Sequence, residues 1–215
     1  MKWDVVSNYS EFFLEGALYT ISISLMATVL GTLLAFVLAL MRLSHLKLLK
    51  AFSFTYVWIF RGVPLILVLF IIYYAAPFGI KLSALQAGVI GISLNSASFF
   101  AEIIRAGIVA VPKGQIEAAK AIGMGPMQIM WRVTLPQAVR LTIPPYMNSA
   151  VILLKESAQV SVIAVPDLML RAQNAYNSTY LPVETLGVAG VLYLVMTSLL
   201  MMFQSWAERK MRLKT

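Results

Sequence analysis

Glu102, Arg105, Lys155 and Glu156 stand inside stretches of sequence that are otherwise almost free of charge. Ionisable groups at membrane depth are expensive, by about 2.5–3.5 kcal/mol on insertion scales, so they face a cavity or a partner. Glu102 and Arg105 are three residues apart, which lets their side chains meet on a helix. Lys155 and Glu156 are adjacent, point about 100° apart and do not pair directly. Asn95, Ser98 and Glu102 follow at i, i+3 and i+7 and share one helix face. Glu156 and Gln159 are likewise three apart. These groups are suited to binding: carboxylates flanked by amides and hydroxyls can hold a guanidinium or an ammonium. The competing reading makes Glu102 and Arg105 a purely structural pair. Thr20, Ser24 and Thr28 recur at four-residue steps and read as packing glue between helices.

Other chemistries lack parts. There is no cysteine, and His45 is the only histidine. Disulfides, thiolate sites, cysteine nucleophiles and multi-histidine metal centres are excluded. No G-x-x-x-x-G-K-[ST] phosphate loop occurs; the nearest glycine cluster, Gly123-Met124-Gly125-Pro126, lacks the lysine. No cofactor is expected on this chain, and no catalytic residue.

The elements that hold these residues must be membrane helices. Apolar residues make up 60% of the 215, charged residues 12%, and the mean hydropathy is +0.83. Soluble domains sit nearer about 45–50% apolar and about 25% charged. About 20 apolar residues cross a bilayer core. Five spans are expected, at 16–41, 52–76, 82–110, 136–160 and 185–207. The second is interrupted by Arg61-Gly62-Val63-Pro64, read as a hinge or a snorkelling arginine near the interface. Met1–Glu15 mixes Lys2 with Asp4, Glu11 and Glu15 and does not resemble a cleaved signal. The stretch 3–14 reads as an interfacial helix.

Short loops with the most Lys and Arg face the cytoplasm. Residues 42–50, 112–140 and the tail beyond 207 carry eleven such residues, against three (Lys2, Lys81 and Arg171) in the alternate segments. The N-terminus is therefore expected outside and the C-terminus inside. A net charge of +8 fits this asymmetry better than nucleic-acid binding.

Two connections are too long to be plain turns. In 112–135 the pattern predicts two short helices, the first opened by Pro112 and Lys113 and ended by Gly123 as a C-cap glycine. Pro126 suits the first turn of the second, and Pro136 the start of the fourth span. Ile129, Met130 and Val133 would leave an apolar face on a cytoplasmic loop, in want of a partner groove. The outer segment 161–184 predicts a short amphipathic helix around 167–175.

Here the sequence resembles a known family. Glu117-Ala118-Ala119, then Gly123, then Val133-Thr134-Leu135-Pro136 resembles the EAA loop of binding-protein-dependent ABC importers, with Val133 where isoleucine is usual. Phe60-Arg61-Gly62-Val63-Pro64-Leu65, Phe100-Ala101-Glu102-Ile103-Ile104-Arg105-Ala106-Gly107 and Leu154-Lys155-Glu156-Ser157-Ala158-Gln159-Val160-Ser161 resemble segments of its polar amino acid branch. Val63 replaces the usual threonine, and Glu156 stands where a neutral polar residue is common. The resemblance implies an all-α integral membrane protein with the type I importer permease (MetI-like) fold. It implies a non-enzymatic subunit in the cytoplasmic membrane of a prokaryote, importing polar amino acids.

The implied partners are ATP-binding cassette ATPase subunits that carry ATP and Mg, a second permease copy or homologue, and an extracytoplasmic solute-binding protein. Coupling to the ATPase falls on Glu117, Ala118, Ala119, Gly123, Ile129, Met130 and Pro136. The substrate would meet Glu102, Glu156, Ser98, Asn95 and Gln159, and the two acids point to arginine, lysine or histidine. The alternative is an ion-coupled secondary amino acid transporter that uses those acids as ion sites.

Overall fold

The computed structural model describes residues 9–211, and among these the chain is all-helical. Helix α1 runs Ser10–Leu43, α2 Lys47–Gly62 and α3 Leu65–Tyr74. After a short turn come α4, Ala84–Val109, and the loop helices α5, Lys113–Ala121, and α6, Pro126–Ile129. A π-helical turn, Met130–Thr134, joins α6 to α7, Leu135–Glu156. A 3-10 stretch, Ser157–Ile163, leads to α8, Leu168–Thr179, and α9 is Pro182–Met211. The interfacial helix expected at 3–14 falls partly outside the described residues; from Ser10 the chain already belongs to α1.

α1, α4 and α9 are each long and apolar enough to cross a membrane. Two more crossings arise only as bent pairs: α2 with α3, at 102°, and the run from Pro126 to Ile163 with α8, at 53°. The described residues therefore supply three to five spans.

The first bend is chemically legible. Pro64 has no N–H, so the carbonyl of Phe60, four residues back, loses its helical donor. Val63, before the proline, is driven to extended backbone at φ −101°, ψ 131°. The Asn95 side-chain amide on α4 donates to the freed Phe60 carbonyl at 2.9 Å. Tyr56 Oη donates to the Leu94 carbonyl at 2.8 Å, and Ser53 Oγ to the Leu38 carbonyl at 2.8 Å. Three side-chain bonds thus pin the bent segment to α1 and α4.

α1 and α4 form the centre. They approach at Gly31, where a Cβ would collide with Ser96 Oγ and lie 3.2 Å from the Ser93 carbonyl. Such small-residue crossings serve membrane helices, which gain nothing from burying apolar surface that lipid already solvates. Ile23, Leu38, Leu69, Ile92, Phe100, Val160 and Ile163 fill the main core. A second core joins Phe13 and Ala17 to Leu168, Ala172 and Ala175 and to Ala189 and Met196 of α9.

That second core marks one end of the bundle. Asp167 caps α8 by accepting from Leu170 N at 2.9 Å, and Leu168 N donates to Thr20 Oγ1 at 3.1 Å. Arg171 pairs with Glu15 at 2.8 Å and lies over the Phe12 ring. Ser24 Oγ donates to Ser157 Oγ at 3.1 Å. The hydroxyls of Thr20 and Ser24 are spent on helix packing.

Candidate functional site

A small pocket of about 80 Å³ opens between α4 and α7. Its polar lining is Asn95, Ser96, Ser149 and Glu156; Phe99, Phe100, Ile152 and Leu153 complete it. α7 reaches this place through a helix containing Pro144 and Pro145. Tyr146 seats it by bonding Thr32 of α1 at 2.5 Å and stacking near Phe100 at 4.7 Å between ring centroids. Glu156 is exposed, and neither it nor Lys155 forms an ion pair with a described residue. An open carboxylate among hydroxyls, an amide and an aromatic ring can receive a cationic group.

Of the five residues expected at a binding site, Asn95 and Glu156 share this pocket. The Asn95 amide is already turned to the Phe60 carbonyl. Ser98 is fully buried and donates to the Asn95 carbonyl at 2.6 Å. Gln159 lies half-buried in the 3-10 stretch beyond the pocket. Glu102 lines a different hollow, with Arg42, Trp58 and Arg61. Its carboxylate is clasped by Arg105, whose Nε lies 3.0 Å from both oxygens and whose Nη2 makes a closer contact with one of them. Ser96, Phe99, Ser149 and Ile152 were not among the sequence-expected residues. The i, i+3, i+7 spacing of Ser149, Ile152 and Glu156 is the signal that marks their common face.

The second region of interest is the loop between α4 and α7. Gly123 has φ +81°, the left-handed conformation that glycine adopts freely. Its N–H bonds the Lys120 carbonyl at 2.9 Å, and Met124 N–H reaches the Ala119 carbonyl at 3.1 Å. This pair of bonds is a Schellman cap and ends α5. Gln128 Oε1 accepts from Gly125 N–H at 3.1 Å and closes the start of α6.

Two expectations for this loop are corrected. The second short helix is not separate: α6, the π turn and α7 form one continuous helical run from Pro126. Pro136 carries no N–H for the Arg132 carbonyl, and the run widens just before it, with Leu135 N–H bonding Met130 O five residues back. Ile129 is also not on the exposed face. It is buried, as is Ala119, while Ile122, Met127, Met130 and Trp131 are exposed. Trp131 Nε1 lies 3.2 Å from Met127 Sδ, which holds the indole on that outer surface. Glu117 and Ala118 are exposed on α5 and Pro136 at the head of α7.

Among the described residues no cluster of three or more His, Asp or Glu side chains is placed to hold a metal. The architecture is that of a membrane subunit with an ordered loop at one end and a polar pocket between helices.

Sequence comparison defines the class. Residues 11–213 match the family described as binding-protein-dependent transport system inner membrane component, and the chain belongs to that family. Members are membrane transport components, not enzymes. The relatives narrow the branch. One is the "Putative glutamine transport system permease protein GlnP" of Rickettsia felis, 40% identical over 202 residues, covering 93% of each chain. Another is the arginine transport system permease protein ArtQ of Bacillus subtilis, 39% identical over 203 residues, covering 94% of this chain and 93% of that one. A solved amino acid ABC transporter with histidines superimposes with a TM-score of 0.93 at 36% identity, over 98% of this chain and 99% of that one. The MetNI methionine ABC transporter shares the fold, with a TM-score of 0.81 at 21% identity over 96% of this chain and 99% of that one.

Proposed function

We propose that this chain is the permease subunit of an ATP-driven importer of polar amino acids, with a preference for basic ones. Relatives named for glutamine and arginine transport, and the solved amino acid transporter, support the substrate class. The observation that carries the basic preference is Glu156, an unpaired carboxylate in the α4–α7 pocket. Asn95, Ser96 and Ser149 would receive the polar remainder of the ligand, and Phe99 would flank it. Glu102, already held by Arg105, is a structural partner and takes no direct part in ligand contact.

The chain has no phosphate loop of its own, so ATP and Mg belong to a separate ATPase chain. The exposed Ile122, Met127, Met130 and Trp131, with Glu117 and Ala118, form the surface that docks into that ATPase. The continuous helix from Pro126 to Ile163 then links the docking surface to Glu156 as one lever. A second permease, identical or homologous, completes the pathway, and a solute-binding protein delivers the ligand. ATP-driven closure of the ATPase pair would move the loops and rock the helices, giving alternating access. The loop end and the C-terminus face the cytoplasm.

Glu156→Gln tests the charge argument. A hydrogen bond to a charged group contributes about 1.5–3 kcal/mol. Arginine uptake should therefore fall about tenfold or more, with glutamine uptake little changed. Equal losses for both substrates would contradict the basic preference and leave Glu156 a structural group.

A further inference from the structure

We propose that the groove at the loop end of α1, α2 and α4 seats an anionic phospholipid, with the phosphate among Arg42, Lys47, Lys50 and Arg105 and an acyl chain along Phe54 and Trp58. A hollow of about 730 Å³ is lined by those four cations with Leu43, Ala51 and Phe54. A second hollow of about 370 Å³ shares Arg42 and Phe54 with it and continues past Val57 and Trp58 to Arg61. Five cations thus line the two hollows against one carboxylate, Glu102, which Arg105 already clasps. Arg42, Lys47 and Lys50 form no ion pair with any described residue. Arg42 is held at the mouth by stacking 4.5 Å over the Phe54 ring.

The start of α2 points the same way. Its first turn contains two lysines and no acid, and no side chain caps it. Cations there oppose the helix dipole, whose positive end lies at the N-terminus. A bound phosphate reverses that cost and satisfies the lysines and free N–H groups together. The bias of positive charge toward one side of a membrane accounts for the number of cations. It does not require that they converge on a concave site.

The apolar surroundings select a lipid over a soluble anion. Phe54 and Trp58, which line these hollows with Val57, are 53% and 69% exposed. A basic mouth beneath an apolar, aromatic wall matches a headgroup followed by an acyl chain.

The test is the lipid retained by the purified transporter complex in mild detergent, read by native mass spectrometry and by lipid extraction. Wild type should retain phosphatidylglycerol or cardiolipin in preference to phosphatidylethanolamine. Lys47→Gln with Lys50→Gln should reduce that retention by about fivefold per lysine. Lys113→Gln with Lys120→Gln, an equal charge change on the exposed loop, should leave it at the wild-type level. Inorganic phosphate at high concentration should not displace the lipid. Equal loss in both double variants, or no selective retention in wild type, would overturn the proposal. Displacement by inorganic phosphate alone would also overturn it and make the groove a soluble-anion site.

Discussion

Glu102 and Glu156 are both carboxylates within apolar helices, and their neighbours assign them different work. Glu102 is neutralised by a forked contact from Arg105 one helical turn away. Glu156 has no such partner and opens onto a pocket. Glu102→Gln should therefore lower arginine and glutamine uptake by the same factor. Selective loss of arginine uptake in that variant would transfer the recognition role to Glu102. The sequence reveals which residues are ionisable and which can pair, but not which side of α4 faces the cavity. Residues 95, 98 and 102 form a coherent polar stripe. The pocket opens instead toward 95, 96, 99 and 100, whose mean direction is rotated by roughly 90° from that stripe at about 100° per residue. Ser98 looked like a ligand because a buried hydroxyl in a helix satisfies itself locally, and spacing alone does not distinguish that from a binding group.

At the scale of elements, punctuation by proline and glycine was the most legible feature. Gly123 ends α5 and Pro126 opens α6 as their conformational preferences require. The bend at Gly62-Val63-Pro64 was visible as an interruption, but its size was not. The 102° corner depends on Asn95, a residue 31 positions beyond Pro64 that accepts the task of capping Phe60. Asn95→Leu should leave that carbonyl unpaired and lower stability by about 1–3 kcal/mol. Loss of thermal stability in detergent would show it, and an unchanged melting temperature would contradict the role. The merger of α6 into α7 escaped sequence reading because proline marks helix starts more often than π turns within a longer run.

Glycines separate packing from conformation at this same scale. A Cβ at Gly107 would collide with Thr142 and lie 3.2 Å from the Ala138 carbonyl, so α4 and α7 depend on its absence. Gly107→Val should destabilise the folded chain by about 1–3 kcal/mol through overpacking. Gly62→Ala meets open space and should be close to neutral for stability. Gly123→Ala also meets open space, yet its positive φ should cost about 1–2 kcal/mol locally. Melting temperatures of the three variants, compared in one detergent, check the order: Gly107→Val lowest, Gly62→Ala nearest wild type.

At the scale of the whole molecule, the apolar outer surface fits a membrane, and the split of Lys and Arg underlies the proposed orientation. α9 keeps Leu194, Met202 and Phe203 exposed, as a lipid-facing helix does. The chain has no cysteine, so single introduced cysteines report topology without background. Tyr180, just after α8, and Ile122, in the loop between α4 and α7, are both highly exposed. Tyr180→Cys should react with a membrane-impermeant maleimide on intact cells, and Ile122→Cys only after permeabilisation. The reverse pattern would invert the proposed orientation and place the loop away from any cytoplasmic ATPase. In the proposed function the chain carries substrate only when an ATPase drives its loop. The most direct measurement is uptake of radiolabelled arginine by proteoliposomes holding the complete permease–ATPase assembly with its solute-binding protein. Uptake should require ATP and the ATPase, exceed glutamine uptake, and fall sharply in Glu156→Gln. Uptake driven by an ion gradient with the ATPase absent would contradict the proposed function.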